Sequence, residues 1–389
     1  MPALIAYLIF PLGVLVFLWR SRTLAQRLDF YFFAFGFKII AAFGMTYLII
    51  NRYEFGDFPT YFTYAKETAE GLVGGRLDAR SFLLPGSYLV ANLNALLFTI
   101  FPASLYGLSV LSGCAAFIYS ALIVTAVERH FVVPAAAKVL IFLSPILSMQ
   151  SGYVGKETYV LPLIGLIVLW LSQSRTGVYW KVILLIVAIG AIRPYQIFFF
   201  LIPLIVAWIA ERGTWRRGLV GLVFLSVAAF LANQQFVELS GGEIAFEEFL
   251  GATYSGGSVV LEPYVFPFNV LQNFRPFPWE ARDLPTLVAS LESGVFLIFS
   301  LWLALQRTAH RPRNWSPAQR RLGAFLAASV LLYLVAFGFS SNLGDLSRRH
   351  VYYYPFLLLM LCRPRAVAYK AAASGASDRR LAAPSASSA

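Results

Sequence analysis

Long apolar runs with few charges recur along this chain, and they restrict what it can fold into. A helix that crosses a bilayer needs about 20 mostly apolar residues. Only 13% of the 389 residues are charged, about half the share in ordinary soluble domains. The pattern predicts an all-α polytopic membrane protein, with about 11 transmembrane helices plus interfacial helices. The candidate spans are residues 3–18, 29–50, 104–127, 132–149, 158–171, 182–192, 195–210, 219–232, 286–305, 322–339 and 351–362.

Arginine and lysine residues between the spans decide the predicted orientation, because Arg/Lys-rich loops stay in the cytoplasm. If the apolar segment 83–101 lies flat at the membrane interface, every basic loop falls on one side. We therefore predict an external N-terminus, a cytoplasmic C-terminus and two external loops, 51–103 and 233–285. Residues 1–370 form one integral membrane domain in this interpretation. Residues 371–389, rich in Ala and Ser, are expected to be a disordered cytoplasmic tail.

The formal net charge of +12 is explained by these loops, so we expect the bilayer, and no nucleic acid, as a partner. Cys114 and Cys362 both lie in apolar runs, and the histidines are scattered. The sequence therefore predicts neither a disulfide nor a zinc motif. It requires no cofactor and is compatible with a divalent cation such as Mg²⁺ or Mn²⁺, for which it identifies no ligands.

The stretch "NRYEFGDFPTYFTYAKE", residues 51–67, places acids and tyrosines directly after an apolar run. Asp57 opens an apolar-periodic segment two residues before Pro59, a position typical of a helix N-cap. The same carboxylate would face the outer membrane surface, so a catalytic role stays open beside the capping role. Tyr61 follows on the same helical face and is a candidate substrate contact. Gly71 is expected to end this helix.

Two further polar sites interrupt the apolar pattern. In "SGYVGKETYV", Lys156 and Glu157 follow Tyr153 at the outer end of a span. Such a pair is typical either of a solvated span end with a snorkelling lysine or of a substrate pathway. Arg193 lies between two apolar segments, where an arginine costs about 2.5–3.5 kcal/mol at mid-membrane. We therefore expect an anionic group to meet it.

Cations near residue 350 and in the long loop complete the candidate site. Arg348, Arg349 and His350 lie on the side that should be poor in positive charge, where they could bind lipid headgroups or clamp a phosphate. The long loop adds substrate-binding candidates whose aromatic rings could stack on sugars or anchor the loop. These candidates are Arg275, Trp279 and Glu280. Together with Lys156 and Arg193, the arginines of both regions predict a basic external cavity.

Lys38 and Glu292 lie inside predicted spans. Lys38 is interpreted as an internal ion-pair or snorkelling residue, and Glu292 as a further buried acid. Neither is assigned chemistry.

Residues 29–171 resemble the GT-C superfamily of integral membrane glycosyltransferases. The resemblance lies in the order of "FGDFPTYFTYA", "LLPGSYLVANLNALLFTIFPASLYGLSVLSGCAAFIYSALIVTAVERHF" and "LSPILSMQSGYVGKETYVLPLIGLIVLW". It implies a polyprenyl-phosphate-linked sugar donor, with Asp57 as the catalytic base and Glu157 as the second catalytic acid. The chain departs from the family pattern by an extra early span and by Lys156 beside the second acid, which argues against a metal ligand there.

The predicted function is therefore that of a glycosyltransferase in a bacterial inner (plasma) membrane, with its active face outside the cytoplasm. It would move a sugar from a polyprenyl-(pyro)phosphate donor to a glycan or lipid acceptor, in cell-surface polysaccharide synthesis. The Arg-rich external loops also resemble those of O-antigen or exopolysaccharide polymerases and ligases. A flippase or transporter for lipid-linked sugars is the third alternative, and it should show internal repeats and polar residues at mid-membrane.

Overall fold

The computed structural model is a bundle of α-helices. It describes residues 5–20, 28–53, 57–74, 86–152, 154–173, 177–194, 196–212, 273–281, 284–309, 315–337 and 343–365, with backbone alone at 52–53, 57–58, 308–309, 335–337 and 343–348. The helices are α1 (Ile9–Arg20), α2 (Leu28–Leu48), α3 (Asp57–Val73), α4 (Ser87–Ile100), α5 (Leu105–Glu128), α6 (Ala135–Leu143), α7 (Pro145–Ser151), α8 (Lys156–Leu171), α9 (Val178–Ile192), α10 (Gln196–Arg212), α11 (Leu284–Ala309), α12 (Pro317–Phe337) and α13 (Leu343–Met360). A π-helical turn, Ile49–Tyr53, extends α2, and a 3₁₀ turn spans Pro278–Glu280. Strands β1 (Phe131–Val132) and β2 (Arg363–Pro364) pair antiparallel.

Helix α5 forms the centre of the bundle. Its residues are apolar or small on every face, and a helix of this kind is buried all round; 83% of its most apolar window is inside the protein. The Ser104 hydroxyl caps its start by accepting the Gly107 amide at 3.1 Å. At Gly113 a β-carbon would lie 3.0 Å from the Ile39 Cα, so only glycine allows α2 to approach this closely. Helix α8 also packs against α5.

The all-α prediction is confirmed for the described residues, but the predicted count of about 11 spans is wrong. Within these residues three helices are long and apolar enough to cross a membrane: Leu28–Asn51, Leu105–Glu128 and Leu284–Arg307. A bent pair, α7 with α8, raises the number to four if it counts as one span. Helix α9, at 15 residues, is shorter than a bilayer requires.

A proline explains why one of the predicted spans is not a single helix in the structure. The sequence predicts a single span over residues 132–149, but in the structure two helices, α6 and α7, meet there at Ser144 and Pro145. Proline disfavours helical backbone in the residue before it, and Ser144 accordingly has a ψ of 121°. The resulting helices have 9 and 7 residues, too few to cross alone. Helix α8 then leaves α7 at an angle of 104°.

Helices α3 and α4 pack against each other through small side chains. Ala65, Ala69 and Ala95 form the buried centre of this contact, and the Phe62 and Phe98 rings meet edge to face at 5.4 Å. Helix α3 spans Asp57–Val73 and so runs past Gly71, where it was expected to end; the capping role of Asp57 stays a prediction. Helix α4 has 14 residues, which agrees with the prediction that this segment does not cross. Its orientation in a bilayer stays a prediction.

Basic residues gather at one end of the bundle, where several helices terminate. Arg321 donates from Nε to the Leu171 carbonyl at 2.8 Å and also binds the Gln173 carbonyl. Cations are favourable at helix C-termini because the last carbonyls lack partners. Arg307 binds the Met360 carbonyl in the same way. The assignment of this end to the cytoplasm stays a prediction, as does the tail 371–389, which lies outside the described residues.

Candidate functional site

A buried ion pair joins two of the predicted site residues. Glu157 lies in the first turn of α8, and Arg193 directly follows α9. The Arg193 Nη2 donates to Glu157 Oε1, and the two side chains are 12% and 1% exposed. The N-terminal end of a helix also favours a carboxylate. The sequence predicted an anionic partner for Arg193, and that partner is Glu157.

Tyr352 of α13 completes this pair. Its ring lies 5.6 Å from the Arg193 guanidinium carbon, within the range of a cation–π contact. Its hydroxyl donates to Glu157 Oε1 at 3.5 Å. The ring of Tyr333 in α12 stacks on the Tyr352 ring, with the two ring centroids 6.0 Å apart. We call Glu157, Arg193 and Tyr352 the acid–arginine cluster. Sequence analysis missed Tyr352, although its place one helical turn after Arg348 could have indicated it.

The residue before α4 contacts the end of α9, close in sequence to Arg193. The Gly86 amide donates to the Ala191 carbonyl at 2.8 Å, two residues before Arg193. Next to it, the Tyr61 and Ser87 hydroxyls are 3.1 Å apart. Asp57 begins α3 one turn before Tyr61, with its backbone alone described. The start of α4 therefore contacts the end of α9 that precedes Arg193, and α3 contacts the start of α4 through Tyr61.

The cations near residue 350 are mostly internal. Arg349 and His350 are 5% and 4% exposed. His350 Nε2 lies 2.9 Å from the Asn273 carbonyl oxygen and must donate to it, and Tyr353 binds the same oxygen. His350 thus anchors residues 273–281 to α13, which explains its burial. For Arg348 only the backbone is described, and Tyr153 lies outside the described residues. Lys156 is half-buried at the start of α8.

Arg275 and Glu280 bind each other within one turn. Arg275 Nε donates to Glu280 Oε2 at 3.0 Å, and Nη2 donates to Oε1. The Phe277 amide adds a third bond at 2.7 Å. Burial raises the pKa of Glu280, but the hydrogen bonds from Arg275 and Phe277 outweigh it and hold that pKa below its usual value of 4.5. Trp279 is 80% exposed, so its ring is accessible to a ligand.

Two charged residues without an assigned role surround the break between α6 and α7. Lys38, fully buried in α2, donates from Nζ to the Ile141 carbonyl at 3.2 Å. Glu292 of α11 accepts the amides of Ile146 and Leu147 at 2.7 and 2.8 Å. Their sequence signal was a lone charge in an apolar run, which indicates that a partner exists and does not identify it.

An apolar cavity of about 400 Å³ opens between α1, α5 and α8. Gly13, Ile118 and Pro162 are among its lining residues. It also reaches Thr158 and Tyr159, which directly follow Glu157. The cavity therefore lies beside the helix start that carries the acid–arginine cluster.

Among the described residues, no three His, Cys, Asp or Glu side chains lie close enough together to hold a metal ion. Comparison with protein-family models, with curated proteins and with solved structures finds no match to this chain. The functional interpretation consequently depends on the geometry of the site.

Proposed function

We propose that this protein is a membrane glycosyltransferase that transfers a sugar from a polyprenyl-(pyro)phosphate donor to a glycan or lipid acceptor. The supporting observation is the acid–arginine cluster of Glu157, Arg193 and Tyr352. Sugar transfer from a phosphate requires a cation for the departing phosphate and a base for the attacking hydroxyl. In this proposal the cluster supplies the cation, and Asp57, the first residue of α3, supplies the base.

The two acids have different roles in this proposal. Glu157 is 1% exposed and bound to Arg193, so in this proposal it holds the guanidinium in place. Asp57 begins a helix whose next described side chains, Pro59 and Thr60, are exposed. The positions that follow Asp57 in this helix are therefore accessible to an acceptor. We therefore assign the proton transfer to Asp57 and a positioning role to Glu157.

In the proposed reaction, the acceptor hydroxyl transfers its proton to the Asp57 carboxylate as its oxygen attacks the anomeric carbon of the donor sugar. The bond between that carbon and the phosphate oxygen breaks, and the phosphate leaves with the electron pair. Arg193 stabilises the developing negative charge, because its planar guanidinium binds a phosphate oxygen well. Product glycan and free lipid phosphate then leave the site.

The apolar cavity supports a lipid-linked donor. Its lining is almost entirely hydrocarbon, and it adjoins Thr158 next to Glu157. An isoprenoid chain in this cavity would bring its phosphate toward the acid–arginine cluster. We propose that the protein lies in the inner (plasma) membrane with this cluster on the external face, because Arg307 and Arg321 lie at the opposite end of the bundle, where helices terminate.

The decisive experiment replaces Asp57 by Asn, which caps a helix about as well as Asp but cannot accept the proton. Sugar transfer in membranes should fall by about 10²–10⁴-fold while protein level and folding are kept. The matched control is Glu67→Gln, which removes an exposed carboxylate from the same helix. Near-normal transfer by Asp57→Asn would reject Asp57 as the base.

A transporter of lipid-linked sugars is the second candidate, and one observation favours it. Lys38 and Glu292 are charges within candidate spans, beside a broken helix, an arrangement typical of transport sites. In reconstituted vesicles a transporter would move the lipid-linked sugar without forming a glycosidic bond. Glu292→Gln would then abolish this movement and Asp57→Asn would not. Both charges already bind groups of this chain, which supports the first candidate.

A further inference from the structure

The break between α6 and α7 leaves a backbone carbonyl without its helical partner. In a continuous helix the Ile141 carbonyl would accept the amide of residue 145, but that residue is Pro145 and has no N–H. Lys38 Nζ occupies this place at 3.2 Å. The next carbonyl, of Phe142, accepts the Ser148 hydroxyl at 3.3 Å. Side chains therefore replace the missing amides.

On the other side of the break, backbone amides need acceptors. The first amides of a helix have no acceptor within it, and those of Ile146 and Leu147 begin α7. The Glu292 carboxylate accepts both, with Oε2 at 2.7 Å and Oε1 at 2.8 Å. One buried carboxylate thus satisfies two backbone donors, which is a strong type of hydrogen bond.

The signs of the two charges match the helix ends that they bind. A cation is favourable at the carbonyl end of α6, and an anion is favourable at the amide end of α7. Lys38 also lies 3.5 Å from the Ser151 hydroxyl, at the last residue of α7. Lys38 and Glu292 therefore direct their hydrogen bonds to the α6–α7 segment rather than to each other.

The position of α7 in turn limits where α8 can begin. Gly152, directly after α7, is so close to α2 that a β-carbon there would lie 2.7 Å from the Ala42 Cβ. Only a short turn then separates this point from Glu157 in the first turn of α8. We propose that Lys38 and Glu292 are positioning residues, which fix the broken segment and thereby place Glu157 opposite Arg193. This inference rests on the proposed function in one respect: it takes the Glu157–Arg193 ion pair to be part of the active site.

The position of the α8 start can be measured without any enzymatic activity. The hydroxyls of Ser112 in α5 and Thr158 in α8 are 2.6 Å apart, a distance that brings their β-carbons within reach of a disulfide. A Ser112→Cys/Thr158→Cys protein is oxidised in membranes with a permeable oxidant, and the cross-linked peptide is quantified by mass spectrometry. The two single-cysteine variants report any reaction with the buried Cys114 and Cys362.

Lys38→Met and Glu292→Gln should each lower the cross-link yield in membrane-inserted protein. The control for Lys38 is Ile40→Met, on the same helix with a side chain that is 69% exposed. The control for Glu292 is Ser300→Ala on α11, because the Ser300 hydroxyl makes no hydrogen bond within the described part of the chain. Both controls should keep the full yield. An unchanged yield in both test variants would overturn the inference.

Pro145→Ala tests the capping role of Lys38 directly. It restores an amide at position 145 and permits a helical ψ at Ser144, so the Ile141 carbonyl can regain a helical partner. Lys38→Met should therefore cost less cross-link yield in the Pro145→Ala background than in the parent protein. Equal losses in the two backgrounds would contradict the capping role. If Lys38→Met alone fails to accumulate, its accumulation in the Pro145→Ala background supports the capping role, and failure in both backgrounds contradicts it.

Exchange of the two charges gives the last criterion. A simple ion pair would be restored in Lys38→Glu/Glu292→Lys, but two helix ends of fixed polarity would each meet the wrong sign. The double variant should therefore show the low yield of the single variants, and a restored yield would overturn the inference. Because the measurement needs no sugar transfer, its outcome is separate from that of Asp57→Asn.

Discussion

Arg321 and Arg193 lie at opposite ends of α8, and both are largely buried, yet their partners differ in kind. Arg321 binds the carbonyls of Leu171 and Gln173 and the carboxylate of Glu211. Arg193 contacts the carboxylate of Glu157 and the ring of Tyr352. The first arginine therefore holds backbone groups at a helix end, and the second arginine binds side chains.

This difference separates a structural cation from a candidate binding cation. A carbonyl at a helix end cannot move unless the helix itself moves, so Arg321 is fixed as long as the fold is intact. A side-chain partner can change rotamer without moving a helix, and Arg193 is accordingly the arginine that we propose for the donor phosphate. Burial alone does not distinguish the two cases, whereas the identity of the partners does.

The largest expected effect on stability is at Arg321. Arg321→Ala removes the cation that pairs with Glu211 and the donor to two helix-end carbonyls, and it should lower the free energy of unfolding by about 3–5 kcal/mol. Thermal or chemical unfolding of the detergent-solubilised protein measures this. Arg320→Ala is the control, because that residue has a single exposed contact with the Glu211 carbonyl, and it should change stability by no more than about 0.5 kcal/mol. Equal losses of unfolding free energy in the two variants would contradict a special structural role for Arg321.

The next effect concerns Glu157 and Arg193 and is measured with a double-mutant cycle. Each of Glu157→Gln and Arg193→Met leaves one buried charge without its partner, whereas the double variant removes both charges. The double variant should therefore be less destabilised than the sum of the single variants, by about 1–3 kcal/mol. Additive losses would mean that the ion pair contributes no coupling. Donor use should fall in all three variants, whereas Arg321→Ala should retain the activity of its folded fraction.

The smallest effect concerns Arg275, a third arginine, whose acid partner Glu280 lies in the same turn. The pKa of Glu280 is lower in the folded protein than its usual value of 4.5. Its contribution to stability is therefore complete above that value and is lost as the pH falls through the lowered folded-state pKa. We expect the stability difference between the parent protein and Glu280→Gln to shrink between about pH 5 and 3. A difference independent of pH would contradict ionic pairing, and Glu67→Gln provides the exposed-acid control.

Local sequence signals predicted the class of protein and several element boundaries. Apolar runs with few charges leave helices as the only way to satisfy backbone groups in a membrane, and the described residues are mostly helical. The helical segment expected after Asp57 is present as α3, and the N-cap role of Asp57 stays a prediction. The count of spans was wrong because apolarity does not report whether a helix continues. At Pro145 a single residue divides an apolar run that otherwise reads as one span.

The partners of the buried charges were decided by tertiary structure. The sequence by itself determined that Arg193, Lys38 and Glu292 must meet groups of suitable charge, since an unpaired charge in an apolar environment is costly. It did not determine which groups, because these come from other helices: Arg193 and Glu157 are 36 positions apart, and Lys38 and Ile141 are 103 apart. Contacts of this range depend on how α2, α8, α9 and α11 pack, and only the folded bundle brings them together.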